Sequence, residues 1–212
     1  MELSWIGHSC FRLRGRDATV LTDPFARASG YAMRGVTADV VTVSNTHPNH
    51  ATVADVGGEP MVLDGPGEYE VKGVFVTGVR TTPPRAQAAS GHNTAYVVKV
   101  DDITVCHLGD LSSVLTTEQL ELMKDVDVLL VPVGGHCTIG APEAVEVISR
   151  VEPKLVVPMH YATEATTIEL EGVDRFLREM GLTEPPAQQA RLNVTRSNLP
   201  NEPTITLFGY RK

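Results

Sequence analysis

The stretch "VSNTHPNH", residues 43–50, decides how this chain is read. It completes "ADVVTVS" (38–44), a nearly continuous apolar run of strand length, which predicts a strand buried on both faces. A strand that stays apolar to its end and then shows His places that side chain at the rim of a sheet. Here His47 and His50 stand three residues apart, while Asn45 and Asn49 occupy places where a metal site would prefer stronger ligands. The stretch is therefore a metal loop, a metal loop that has lost ligands, or a polar turn that holds histidine.

The same pattern recurs further along. "TVCHLGD" ends a strand-like run in His107 and Asp110, "VDVLLVPVGGH" ends in Gly134, Gly135 and His136, and "KLVVPMHY" ends in His160. Near the N-terminus, His8 sits in "GHS" between the candidate strands "ELSWI" and "CFRLR". Several such rims meeting at one sheet edge would make a site. Zinc takes imidazole nitrogen and carboxylate oxygen, and a catalytic site leaves one position open for water.

The first half of the chain reads as short strands and turns. "ATVLTD" ends at Asp23-Pro24, two or three strands follow around Gly65-Pro66-Gly67 and Lys72-Gly73, and "TAYVVKVDDITVCHLGD" is a hairpin turning at Asp101-Asp102. The second half alternates. Helices are predicted over 116–126, with Thr116 or Thr117 as N-cap, over "APEAVEVISRVE" with Pro142 at the first helical position, and over "LEGVDRFLREMG", closed by Gly181. "TITLFGY" is a last strand, and "TTPPRAQAASG" (81–91) is predicted to be a mobile surface loop. Strands first and strand–helix alternation later predict sheet layers covered by helices, an α/β (α+β) class.

A length of 212 residues with 42% hydrophobic and 21% charged content fits one globular domain spanning 1–212. The net charge of −8 and the absence of a basic block argue against nucleic acid as the partner. The three cysteines are far apart, with no CxxC, so a disulfide framework is not expected and a cytoplasmic setting is. No apolar stretch reaches membrane-spanning length, and "MELSWIGHSC" lacks the features of a signal peptide. Cys106, within an apolar run, reads as a small buried hydrophobe, and Trp5 as core.

"SNTHPNH", "HLGD" and "VPMHY" fall in the order of the metallo-β-lactamase superfamily motifs. With "WIGHSCFRL", "LTDP", "GPGEYE", "HNTAYVV", "CHLGDL" and "VPVGG…T", the chain resembles the L-ascorbate-6-phosphate-lactonase-like branch of its metal-dependent hydrolases, from about Glu2 to Tyr161. The resemblance implies a four-layer αβ/βα sandwich with the site at one edge between two sheets. It implies metal ligands at His47, His50, Asp110 and His160, with Asp110 and His160 carrying the chemistry.

The family motif SHxHxDH is depleted here. Asn45 stands where the first histidine would be and Asn49 where the aspartate would be. The family's third histidine would fall near Thr82, counting back from Asn93-Thr94. Losing these ligands leaves one ion, zinc or manganese, or none. An amide at position 49 takes no proton at neutral pH, so it cannot serve as a base toward water.

His136, His8 and Asn49 are auxiliary candidates for the site, while His92 and His107 are left without an assigned role. Asp23-Pro24 is read as a turn beside the site. Two functions follow: a divergent hydrolase of a small ester, lactone or phosphoester, or a metal-free pseudoenzyme that binds or assembles. Relatives in this branch form oligomers, so a homo-oligomer is an expectation from the resemblance.

Overall fold

In the computed structural model, residues 1–84 and 91–210 are described; positions 85–90 of the expected loop at 81–91 lie outside them. The strands form two sheets. The first is built from β1 (Glu2–Gly7), β2 (Cys10–Arg14), β3 (Thr19–Thr22), β4 (Val40–Thr42) and β5 (Met61–Leu63). β1 to β3 form an antiparallel meander, and β4 and β5 add in parallel. The second contains β6 (Gly67–Val71), β7 (Val74–Thr81), β8 (Asn93–Val100) and β9 (Ile103–His107), all antiparallel, then β10 (Val128–Pro132) and β11 (Leu155–Met159), parallel to β9. Two short edge strands, β12 (Leu192–Asn193) and β13 (Thr204–Ile205), complete the orders β12-β1-β2-β3-β4-β5 and β13-β11-β10-β9-β8-β7-β6.

Local sequence explains the turns. Asp101 and Asp102 take φ of 50° and 64°, and Lys72 and Gly73 take 48° and 76°. Each pair forms the two-residue link, left-handed at both positions, that matches the twist of its hairpin. β4 and β10 are buried along their whole length, as their unbroken apolar runs predict.

The helices are α1 (Pro48–Ala51), α2 (Thr117–Glu121), α3 (Ala141–Val151) and α4 (Val173–Glu179). α2 is shorter than the helix expected over 116–126. Its start is as read: Thr116 and Gln119 form a reciprocal capping box. Its apolar positions Leu120, Met123 and Val126 repeat every three residues, which suits tight turns rather than a 3.6-residue helix. In α3, Pro142 is the second helical residue rather than the first; Ala144, Val147 and Ile148 are buried and Val151 is half-buried. "TITLFGY" contributes only two ladder residues, and Leu207 and Phe208 beyond them bury as loop residues.

The architecture is a β-sandwich flanked by helices, with its helical cover uneven: among the described residues α1 is the one α-helix between β1 and β5, and α2, α3 and α4 each follow a strand of the second sheet. Apolar residues of both sheets form the core. The sheets are also joined by hydrogen bonds near one edge. Tyr96 Oη of β8 lies 2.8 Å from Leu63 O and 3.1 Å from Val43 O, and Thr94 N donates to Ser44 O at 2.8 Å. The ends of β3, β4, β9, β10 and β11 and the β1–β2 turn converge there. We expect Tyr96→Phe to lower stability by about 1–2 kcal/mol, seen as a lower urea midpoint with unchanged far-UV circular dichroism.

Candidate metal centre

Asp23, directly after β3, organises the site. Its backbone is left-handed, with φ 39°, and its side chain is fully buried. Oδ1 accepts from Ser44 N at 2.8 Å, and Oδ2 accepts from Ser44 Oγ at 2.6 Å and lies 2.8 Å from His50 Nδ1. That contact puts a proton on Nδ1 and turns Nε2 toward Asp110 Oδ2, 3.0 Å away. His50 is presented by α1, whose first turn is capped by the ring of His47: Asn49 N donates to His47 Nδ1 at 3.2 Å.

Asp110 is held just as closely. Its N–H donates to Asn93 Oδ1 at 2.9 Å, and Asn93 Nδ2 donates to Thr81 Oγ1 and Leu108 O at 2.6 and 2.9 Å. Gly109 before it has φ 58°, and a Cβ there would stand 2.5 Å from Asn93 Oδ1 and from the Ser44 Cβ, so only glycine lets the chain pass. His160, after β11 with φ 51°, brings Nε2 to 3.3 Å from Asp110 Oδ1. Its N–H donates to His8 O at 3.3 Å, which seats the "GHS" turn against it. The ring of His8 lies 4.3 Å from that of His160 and 5.1 Å from that of His50, centre to centre.

This cluster is buried and under-satisfied. His8, His50, Asp110 and His160 are all at least nine-tenths buried. Yet His8 Nδ1 and Nε2, His160 Nδ1 and Asp110 Oδ1 make no hydrogen bond. Buried polar atoms without partners are costly, and clustered side chains that carry them are candidate ligands for an ion. One donor atom from each of His8, His50 and His160 lies within 4.8 Å of the other two. The residues present thus fit one ion.

Electrostatics divide the histidines. Burial depresses His8, His160 and His47, helped by neighbouring histidines, so they favour the neutral, ligand-competent form. Burial also acts on His50, but Asp110 and Asp23 outweigh it and push His50 up to about 10. Burial would raise Asp110, yet His50 and His160 hold its carboxyl well below the usual carboxylate range.

The predicted residues divide. His50, Asp110, His160 and His8 come together in the buried cluster. Asn45 is buried beside it and donates to Asp110 Oδ2 at 3.4 Å. His47 and His136 are exposed at the rim and line a cavity of about 200 Å3 with Asn49. Thr82 lies off the cavity: it is exposed and paired with Ser113 Oγ at 2.7 Å, and Pro84 lines the wall instead. His92 is half-buried before β8 and does not line the cavity. His107 is spoken for, with Nε2 2.8 Å from Ser9 O and Nδ1 accepting from Gly109 N.

The sequence reading put Asp23 in a turn beside the site, but the contact with His50 was invisible without the fold. Cys137, next to His136, also lines the cavity and was not singled out. The larger clefts, of about 500 and 580 Å3, lie elsewhere against Trp5 and Tyr210, away from these titratable groups.

Residues 2–160 match the family described as the beta-lactamase superfamily domain. The chain belongs to that superfamily. The match spans the whole series of motifs from "ELSWIGHS" to His160. A UPF0173 metal-dependent hydrolase of Methanoculleus marisnigri is 30% identical over 190 residues, covering 77% of this chain and 82% of its own. One of Pyrococcus horikoshii is 28% identical over 193 residues, covering 77% and 85%. Among solved structures, a proposed Zn-dependent hydrolase of the metallo-beta-lactamase superfamily from Thermotoga maritima superposes with a TM-score of 0.83 at 38% identity, covering 99% of both chains.

The charge pattern predicts a stability maximum in chelator-treated protein. His50, raised to about 10, contributes stability that is full below its unfolded value of 6.5 and is lost as pH rises through 10. His8 and His160, depressed from 6.5, oppose folding once pH falls below that value, because the unfolded chain then takes up protons they refuse. Urea midpoints should therefore peak near pH 6.5 and decline toward 10, with a shallower alkaline decline in Asp23→Asn.

Proposed function

We propose that this chain is a metal-dependent hydrolase that works with a single ion, zinc or manganese, on a small ester, lactone or phosphoester. The observation that carries the reading is the set of buried, unpartnered donor atoms of His8, His160 and Asp110 around His50. The names of its superfamily relatives, metal-dependent hydrolases, support it.

Asp110, His160 and His8 would hold the ion, and His50 would join them once its Nε2 proton passes to solvent. Bound there, an ion would polarise the scissile carbonyl or phosphoryl oxygen and lower the pKa of attacking water. The protein's own part is orientation and exclusion of bulk water. Asp23 fixes the His50 tautomer, and Asn93 and Gly109 fix Asp110. His47, His136 and Asn49, which line the cavity, would contact substrate. Asn49 cannot take a proton, so it orients rather than acting as base.

A metal-free binding module is the second reading. It is favoured by Asn45, whose amide donates to Asp110 and occupies one of the carboxylate's acceptor positions. Metal analysis after zinc or manganese loading separates the two. We expect about one equivalent per chain, none in His160→Ala, and hydrolysis of nitrophenyl ester or phosphodiester probes that a chelator abolishes. Absence of retained metal under all loading conditions would leave the binding module. Asn45→His with Asn49→Asp should raise metal stoichiometry above that of the native chain.

A further inference from the structure

Cys137 is a cavity-lining side chain that the hydrolase reading leaves unused. It follows His136 in the loop after β10 and is half-buried. Its Sγ lies 4.0 Å from His160 Nε2, which stands 3.3 Å from Asp110 Oδ1. One donor atom from each of these three side chains lies within 4.8 Å of the other two. A tetrahedral ion bound by nitrogen and oxygen at about 2.0 Å and by thiolate at about 2.3 Å sets nitrogen and oxygen about 3.3 Å apart and nitrogen and sulfur about 3.5 Å apart. The first spacing is already present, and the second is reached from 4.0 Å by a shift of about half an ångström.

Two further observations point to a ligand here. Asp110 Oδ1 is buried and accepts no hydrogen bond. Asp110 is also the only carboxylate among the described residues that line the cavity, where Asn49 offers a neutral amide. Neutral histidines and one carboxylate leave half the charge of a divalent ion uncompensated. Among the described residues of that lining, Cys137 is the one other side chain that can become an anion.

We propose that Cys137 is a metal ligand of this chain, binding through its thiolate on the same ion as Asp110 and His160. The inference rests on the single-ion reading above. As the sulfur–metal bond forms, the thiol proton passes to solvent. A thiolate is a soft ligand, so the site would select zinc, cobalt or cadmium over manganese or magnesium. Cys10 and Cys106 do not compete, since both are fully buried and burial raises both thiols, Cys106 to about 12.

Cobalt(II) loading of chelator-treated protein tests this by absorption. We expect visible cobalt bands together with a near-ultraviolet sulfur-to-cobalt band. Cys137→Ser, checked for folding by circular dichroism, should keep the visible bands and lose the near-ultraviolet one. From an equal mixture of zinc and manganese, the native chain should take up zinc, and Cys137→Ser should discriminate about tenfold less. Visible bands without the near-ultraviolet band, or that band persisting in Cys137→Ser, would overturn thiolate ligation and leave the hydrolase reading standing. Protein that takes up no cobalt would sink the hydrolase reading and the ligand with it.

Discussion

The buried chain Asp23–His50–Asp110 is the contact on which the rest of the site depends. A histidine ring with a carboxylate on each nitrogen, at 2.8 and 3.0 Å, is expensive to bury and strongly directional once buried. It ties the end of β3 to α1 and α1 to the end of β9, so it joins the two sheets at the edge where the chemistry sits. Ser44 adds two hydrogen bonds to Asp23, which leaves that carboxylate little freedom to move.

Part of the left-handed backbone gathers at the same edge. His8, Asp23, His136 and His160 all have positive φ, uncommon for residues with a side chain. His8, Asp23 and His160 directly follow β1, β3 and β11, and His136 lies in the loop between β10 and α3. Glycines 109 and 134 make room: a Cβ on Gly134 would stand 2.1 Å from His160 O. The rigid sandwich and the loops at its edge thus divide the work, with strands setting positions and left-handed turns setting directions.

The centre differs from the depleted motif that suggested it. His47 and His50 are neighbours in sequence, yet only His50 enters the buried cluster, because His47 is used as the cap of α1. In the proposed site, His8 and Cys137, distant in sequence but lining one cavity, would supply donors where Asn45 and Asn49 offer only amides. Electrostatics favour this mixed set: the neutral histidines offer lone pairs, and His50 takes its place between two anions.

Much of the fold was legible in the sequence. Unbroken apolar runs marked β4, β10 and β11, paired turn residues marked the hairpins, and motif order marked the superfamily and a polar rim at the strand ends. These are local signals, in which period, turn chemistry and spacing leave a direct trace. Helix lengths were less legible, since an apolar residue at every third position, as at Leu120, Met123 and Val126, fits a helical face as well as a run of tight turns. The partners within the site were not legible at all. Asp23 and His50 are 27 residues apart and Asp110 a further 60, and nothing in local pattern says which ring nitrogen meets which carboxylate. Only the tertiary structure decided that His8 is inside, that Thr82 is outside and that Cys137 faces His160, because those facts depend on how two sheets pack and where their edges meet.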